Sequence, residues 1–152
     1  MYAVSVDKEA GVMVGVYGGI NDVDADCASC VASIIASDAS AAERGIPHVC
    51  VLVTQRDTPI PPPIWRKRMA DSNKHFRAQE YHFALVNPKS LHRGTLTAIL
   101  WLMSPPKAHR YAAFETFADA ALWIQRDSRR SYPMLQLLYE RALQDLEQRP
   151  NS

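Results

Sequence analysis

The sequence predicts an α/β domain built on a mixed sheet of about five strands with helices packed on it. Three observations carry this. The chain opens on two β-branched runs joined by DKEAG, the pattern of a hairpin. Residues 48–54, HVCVLVT, form a nearly continuous apolar run of strand length, as expected of a strand covered on both faces. From there, segments of strand type alternate with segments of helical period, giving β-β-α-β-α-β-α-β-α and one further helix.

The hairpin strands are Tyr2 to Val6 and Val12 to Tyr17, both expected to be half buried. Gly18 and Gly19 break the second strand, and Asn21 or Asp22 caps a helix whose apolar stripe is Val23, Cys27, Cys30, Val31, Ile34 and Ala41. Gly45 and Pro47 end it, and His48 to Thr54 follows as the expected centre of the sheet. In TPIPPPIW, Pro61, Pro62 and Pro63 favour extended polyproline geometry before the chain turns helical over Ile64 to Phe76. Tyr81 to Val86 is the next strand, stopped by Asn87 and Pro88. Ser90 then caps a helix, expected to be largely buried, that runs to about Met103 and is ended by Ser104, Pro105 and Pro106.

Arg110 to Phe114 reads as the last strand. Thr116 with Asp119 resembles a capping box with Asp in place of Glu, opening a helix that carries Phe117, Ala120, Ala121 and Ile124. Beyond the polar linker RDSRRS, residues 133–147 repeat apolar groups at Leu135, Leu138, Ala142 and Leu146. The expected division is thus a domain over 1–127, followed by linker and amphipathic helix over 128–152. Burying a leucine is worth about 1.5 to 3 kcal/mol, so this stripe must be covered, by its own sheet or by a second copy. A homodimer contact is the expected cover.

Composition narrows the function classes. The 152 residues are 47% hydrophobic and 22% charged, which suits a folded domain with its own core. A formal net charge of +1 gives no global attraction to nucleic acid or to an acidic membrane, so only a local patch could provide one. No stretch reaches the ~18 apolar residues of a membrane span, and MYAVSVDKEAG lacks the features of a signal peptide. A cytoplasmic protein is expected. Three cysteines, Cys27, Cys30 and Cys50, are too few for a disulfide framework and suit free thiols.

The element order, with HFALVNPKSLHRGTLTAILWLMSP and the following RYAAFETFADAALWI, resembles the STAS-like family, the anti-sigma-factor-antagonist-like domains of bacteria. The residues that carry the likeness are Trp101, Leu102, Pro105, Phe114, Ala121, Leu122 and Trp123, and it covers about residues 2–126. The resemblance implies a partner-binding domain. In signalling members a serine after an aspartate, near the start of the helix behind the central strand, is phosphorylated by a partner kinase. Asp71 and Ser72 are the matching pair here, without the glycine that follows in those members, which makes Ser72 the phosphoacceptor the resemblance implies.

Chemical motifs are few. Cys27-Ala-Ser-Cys30 has the spacing of a thiol redox pair, but both cysteines fall about two turns into a helix on its apolar stripe, where the helix dipole no longer lowers a thiol pKa. Small core residues are the stronger reading, with a thiol-based redox enzyme as the alternative. Adding His48 and Cys50 gives the composition of a zinc site without the spacing of a zinc module. Asp22, Asp24 and Asp26 imitate a calcium loop but lack its glycine and its closing glutamate, so they read as anions at a helix start. His92 on a helix face and His109 at a strand start are the histidines whose elements could meet in space. No catalytic set, metal or cofactor is therefore expected. The segment least like core is 58–77, where the prolines present Trp65 beside Arg66 and Arg68. Tryptophan and arginine are favoured interface anchors, and a stiffened segment loses less entropy on docking. A protein contact there outranks nucleic acid, and the expected function is a non-enzymatic, cytoplasmic protein-binding adaptor.

Overall fold

The computed structural model describes residues 1–19, 22–56, 58–102 and 108–149, without the side chains of residues 96 and 99–102. Its centre is a five-stranded sheet in the order β1 (Tyr2–Asp7), β2 (Val12–Tyr17), β3 (His48–Thr54), β4 (Tyr81–Val86) and β5 (His109–Phe114). Only the first pair is antiparallel. The other strands run parallel in chain order, so each needs a crossover, and right-handed crossovers between successive neighbours fall on one face. These are α1 (Val23–Glu43), α2 (Pro63–Ser72, followed by a 3₁₀ turn at Asn73–His75) and α3 (Ser90–Leu102). The opposite face is covered by α4 (Phe117–Ser128), over β3 to β5, and α5 (Tyr132–Glu147), over β1 and β2.

Alternation along the strands divides the core in two. Val12, Val14 and Val16 of β2 and Val49, Val51 and Val53 of β3 point towards α4 and α5. Met13, Tyr17, Cys50 and Leu52 point the other way, towards Cys30 and Ile34 of α1. β3 is third of five strands and buried along all but its last residue, as its apolar run predicts. β2 differs from expectation. It is buried at every residue, because it too is flanked on both edges and covered on both faces. Gly15 of β2 makes room there: a Cβ at this position would lie 2.7 Å from the Tyr2 hydroxyl and 2.9 Å from a methyl carbon of Leu52.

The terminal helix is part of this core. Leu135, Leu138, Ala142 and Leu146 are all buried, in one cluster with Ala3, Val12, Val14 and Val16. Tyr139 stacks on Phe117 with ring centroids 4.1 Å apart, joining α5 to α4. Arg149 at the far end donates to the carbonyl of Tyr2 at 2.7 Å. The apolar stripe therefore packs on its own sheet, and the homodimer contact expected of it loses its surface. The linker is shorter than its composition suggests, because Arg126 to Ser128 still belong to α4. Arg129 in the left-handed conformation (φ 57°) then turns the chain, and Ser131 caps α5.

The capping residues predicted for α1 and α4 act as expected, whereas Ser90, expected to cap α3, is its first helical residue. Asp22 accepts from the backbone N–H of Ala25 at 3.0 Å. Thr116 accepts from the N–H of Asp119 at 3.2 Å, while its hydroxyl donates to the Asp119 carboxylate at 2.7 Å. The reciprocal half of the capping box is replaced by this side-chain pair, since aspartate is one methylene shorter than the usual glutamate. α3 does not meet the expectation of a largely buried helix among its described side chains: Leu91 is 76% exposed, and none of the others is buried. The side chains of Trp101 and Leu102, residue Pro105, the expected helix end near Met103 and the alternative cap Asn21 lie outside the described residues.

Because α5 supplies the cover for β1 and β2, Leu138→Ala should lower the unfolding free energy by about 2 to 5 kcal/mol, read from urea denaturation. A chain shortened after Asp127 should fail to remain soluble and folded; a stable, soluble truncated domain would show that α5 is dispensable.

Candidate functional site

α2 sits on α1 and packs to no comparable extent on any strand. Two features hold it there. The proline segment that leads into it is fixed at its start, where Thr58 donates to the carbonyl of Tyr17 and its own N–H donates to that of Gln55. At the first turn of α2, Trp65 is turned inward, with only 7% of its surface exposed, and its indole N–H donates to the carboxylate of Asp24 on α1. The helix is thereby tied sideways to its neighbour and held off the sheet. The space beneath it is a cavity of about 130 Å³.

The floor of the cavity is the sheet face, through Leu52, Leu85, Phe83 and Tyr111, and one wall is α1, through Val23, Cys27 and Ile34. The roof is the inner face of α2. Arg66, Met69, Ala70 and Asn73 recur at helical spacing, and all four line the space. Tyr17, Thr54 and Gly19 line its end at the carboxyl ends of β2 and β3. Asn73 is engaged with the Tyr111 hydroxyl. Asp26 is paired with the amino-terminal ammonium at 2.8 Å. Arg66 differs from both: its Nε is buried and has no hydrogen-bond partner among the described residues.

The residues singled out from the sequence fall on different sides of α2. Trp65 and Arg66 face inward, so the prolines do not present the tryptophan to solvent; its large apolar surface and single N–H are both satisfied against α1. Arg68 lies on the outer side, its guanidinium 4.6 Å from the centre of the Trp65 ring. The remaining positive charge is largely answered. Lys67 and Lys74 bracket Asp71 at 3.0 and 2.9 Å, and Arg77 lies 3.7 Å from Glu43. Ser72 is buried, and its hydroxyl donates to the carbonyl of Met69 at 2.6 Å, so a kinase reaches it only if the last turn of α2 opens.

All three cysteines are free and buried. Burial pushes the Cys30 thiol up to about 12 and raises Cys27 and Cys50 above the ordinary thiol value. None has the electropositive surroundings that produce a thiolate. No cluster of metal-ligating side chains occurs among the described residues. His92 stands near the start of α3, beyond the carboxyl end of β4, whereas His109 opens β5 at the amino ends of the strands, beside Tyr81. The two do not meet.

A polar group that sequence reasoning missed lies under the amino end of β3. Ser37 Oγ is 3.0 Å from Nε2 of His48, and Asp38 Oδ1 is 3.7 Å from its Nδ1. The order imitates a hydrolytic triad, but Ser37, Asp38 and His48 are all buried, and none of them lines the cavity. Burial pushes the His48 pKa down to about 3, so the imidazole is neutral and its contact with Asp38 is no ion pair. Asp38 instead accepts the backbone N–H groups of Arg77 (2.6 Å) and Ala78 (3.3 Å), fixing the loop between α2 and β4. The signal was present: Ser37 and Asp38 fall on the buried stripe of α1, in register with Ile34 and Ala41.

Compared with protein-family models, curated proteins and solved structures, the chain matches none.

Two outcomes follow from these environments. The unfolded chain binds a proton at His48 near pH 6.5, whereas the folded chain does so only near 3, so stability should fall as pH drops through that window. His48→Gln should flatten this dependence, measured as urea midpoints between pH 7 and 4; an unchanged slope would show that another group is responsible. Iodoacetamide should leave Cys30 and Cys50 unlabelled until denaturant unfolds the chain, and rapid labelling of either in the native state would contradict their burial.

Proposed function

We propose that the chain is a non-enzymatic, cytoplasmic protein-binding domain of STAS-like type, acting as an adaptor or regulator, with the outer face of α2 as its contact surface. The supporting observation is the combination of a fixed helix with an unusual exterior. Ile64 is 57% exposed at the first turn, and Lys67, Arg68 and Asp71 follow it at helical spacing on the same side. An apolar side chain ringed by charge suits a small interface anchor. Trp65 supports this surface from behind by holding Arg68 over its ring and α2 against α1. The opening hairpin and the parallel strands with their crossover helices also suit the family resemblance. Among the described residues no helix is long and apolar enough to cross a membrane.

Pulldown with the wild-type chain and with Ile64→Asp and Arg68→Glu variants tests the surface. Partners that use it should be lost from both variants, and Trp65→Ala should weaken them by releasing Arg68. If each partner recovered with the wild type stayed at equal yield with Ile64→Asp and Arg68→Glu, the contact would lie elsewhere.

A further inference from the structure

We infer that the cavity under α2 is a binding site for a small apolar carboxylic acid, a chain or ring of hydrocarbon whose carboxylate is received by Arg66. The site is separate from the outer face of α2 and stands or falls independently of the partner reading.

The first argument is the position of Arg66. The inner face of α2 would ordinarily be apolar, and Met69 and Ala70 are; an arginine in the same row places a guanidinium over a hydrocarbon-lined space. The second is its lack of a partner. A buried guanidinium N–H without an acceptor is costly, and one that faces a cavity is free to be completed by a bound water, ion or ligand. The third is charge balance. Among the described residues, Arg66 and Asp26 are the charged side chains lining the cavity, and Asp26 is already matched by the amino-terminal ammonium. One positive charge is left over, which selects an anion against a neutral or cationic ligand. The rest of the wall is largely apolar, including Leu52, Leu85, Phe83 and Ile34, and the hydroxyls of Tyr17, Thr54, Thr58, Ser72 and Tyr111 already donate within the chain, so the wall disfavours a small hydrophilic anion such as phosphate. An apolar body with a single carboxylate satisfies both requirements, and guanidinium and carboxylate match as a bidentate pair.

Titration of the full chain with octanoate, 1-octanol and octylammonium, followed by amide chemical shifts, tests this. The wild type should bind octanoate at least tenfold more tightly than either analogue. Arg66→Met should bring octanoate to the level of octanol while leaving octanol within about twofold, and Ala70→Trp, which fills the cavity, should abolish binding of both. A further readout is the melting temperature without ligand. It should rise in Arg66→Met, because the substitution removes a buried guanidinium N–H that has no acceptor from a half-buried side chain, where a guanidinium needed only for folding would give a fall. The inference is overturned if the wild type shows no preference for octanoate or no binding at millimolar concentration, if Arg66→Met keeps the preference, or if Ala70→Trp binds as the wild type does.

Discussion

The arrangement depends on one constraint: β2 and β3 are apolar on both faces, so the sheet must be covered twice. Val14 and Val51 on one side, and Met13 and Cys50 on the other, leave no solvent face in the middle of the sheet. Parallel crossovers supply one layer. The other has to come from chain beyond β5, and α4 alone reaches only β3 to β5. The valines of β2 and Ala3 of β1 remain, and α5 covers them. Read this way, the terminal helix is what closes the fold, and its leucine stripe is the complement of an edge that would otherwise stand in water.

The crossover layer is less regular. α1 lies down on β1 to β3, but α2 is tied to α1 by Trp65 and Asp24 and delivered by a stiff proline segment, so it cannot settle into the sheet. Polyproline geometry has no internal hydrogen bonds and limited freedom to bend, which fixes where the helix begins. Packing density in proteins ordinarily closes such gaps. Here the gap is kept, its roof carries an arginine, and its floor carries the aromatic rings of Phe83 and Tyr111. The exposed face bearing Ile64 and Arg68 and the cavity are thus two sides of one short helix.

Burial also explains why the polar residues of the core do structural work. Cys27, Cys30 and Cys50 carry raised thiol pKa values because their surroundings disfavour the thiolate. His48 is kept neutral by the same effect acting on the opposite charge type. Asp38 belongs to this group, and it spends its acceptor capacity on two backbone N–H groups that would otherwise be orphaned at the loop before β4. Residues that look like catalytic or metal-binding sets in one dimension become, in three, the polar seams of a packed interior.

By itself the sequence determined the α/β class, the element order and most element limits, because period, capping residues and proline and glycine breaks are local properties. β4 begins and ends where its apolar run does, at Tyr81 and Val86, and Asp22 and Thr116 cap as their side chains allow. What only the tertiary structure decided is which way each amphipathic element faces. Periodicity shows that Leu135, Leu138, Ala142 and Leu146 share a side, but covering them with their own sheet or with a second copy satisfies the same pattern. The side of α2 on which Trp65 and Arg66 lie was likewise hidden, since a helix with charges all round carries no stripe to orient it. The cavity was beyond reach for a related reason: it is formed by a distance between α2 and the sheet, and distances between elements are set by packing, which no local pattern encodes.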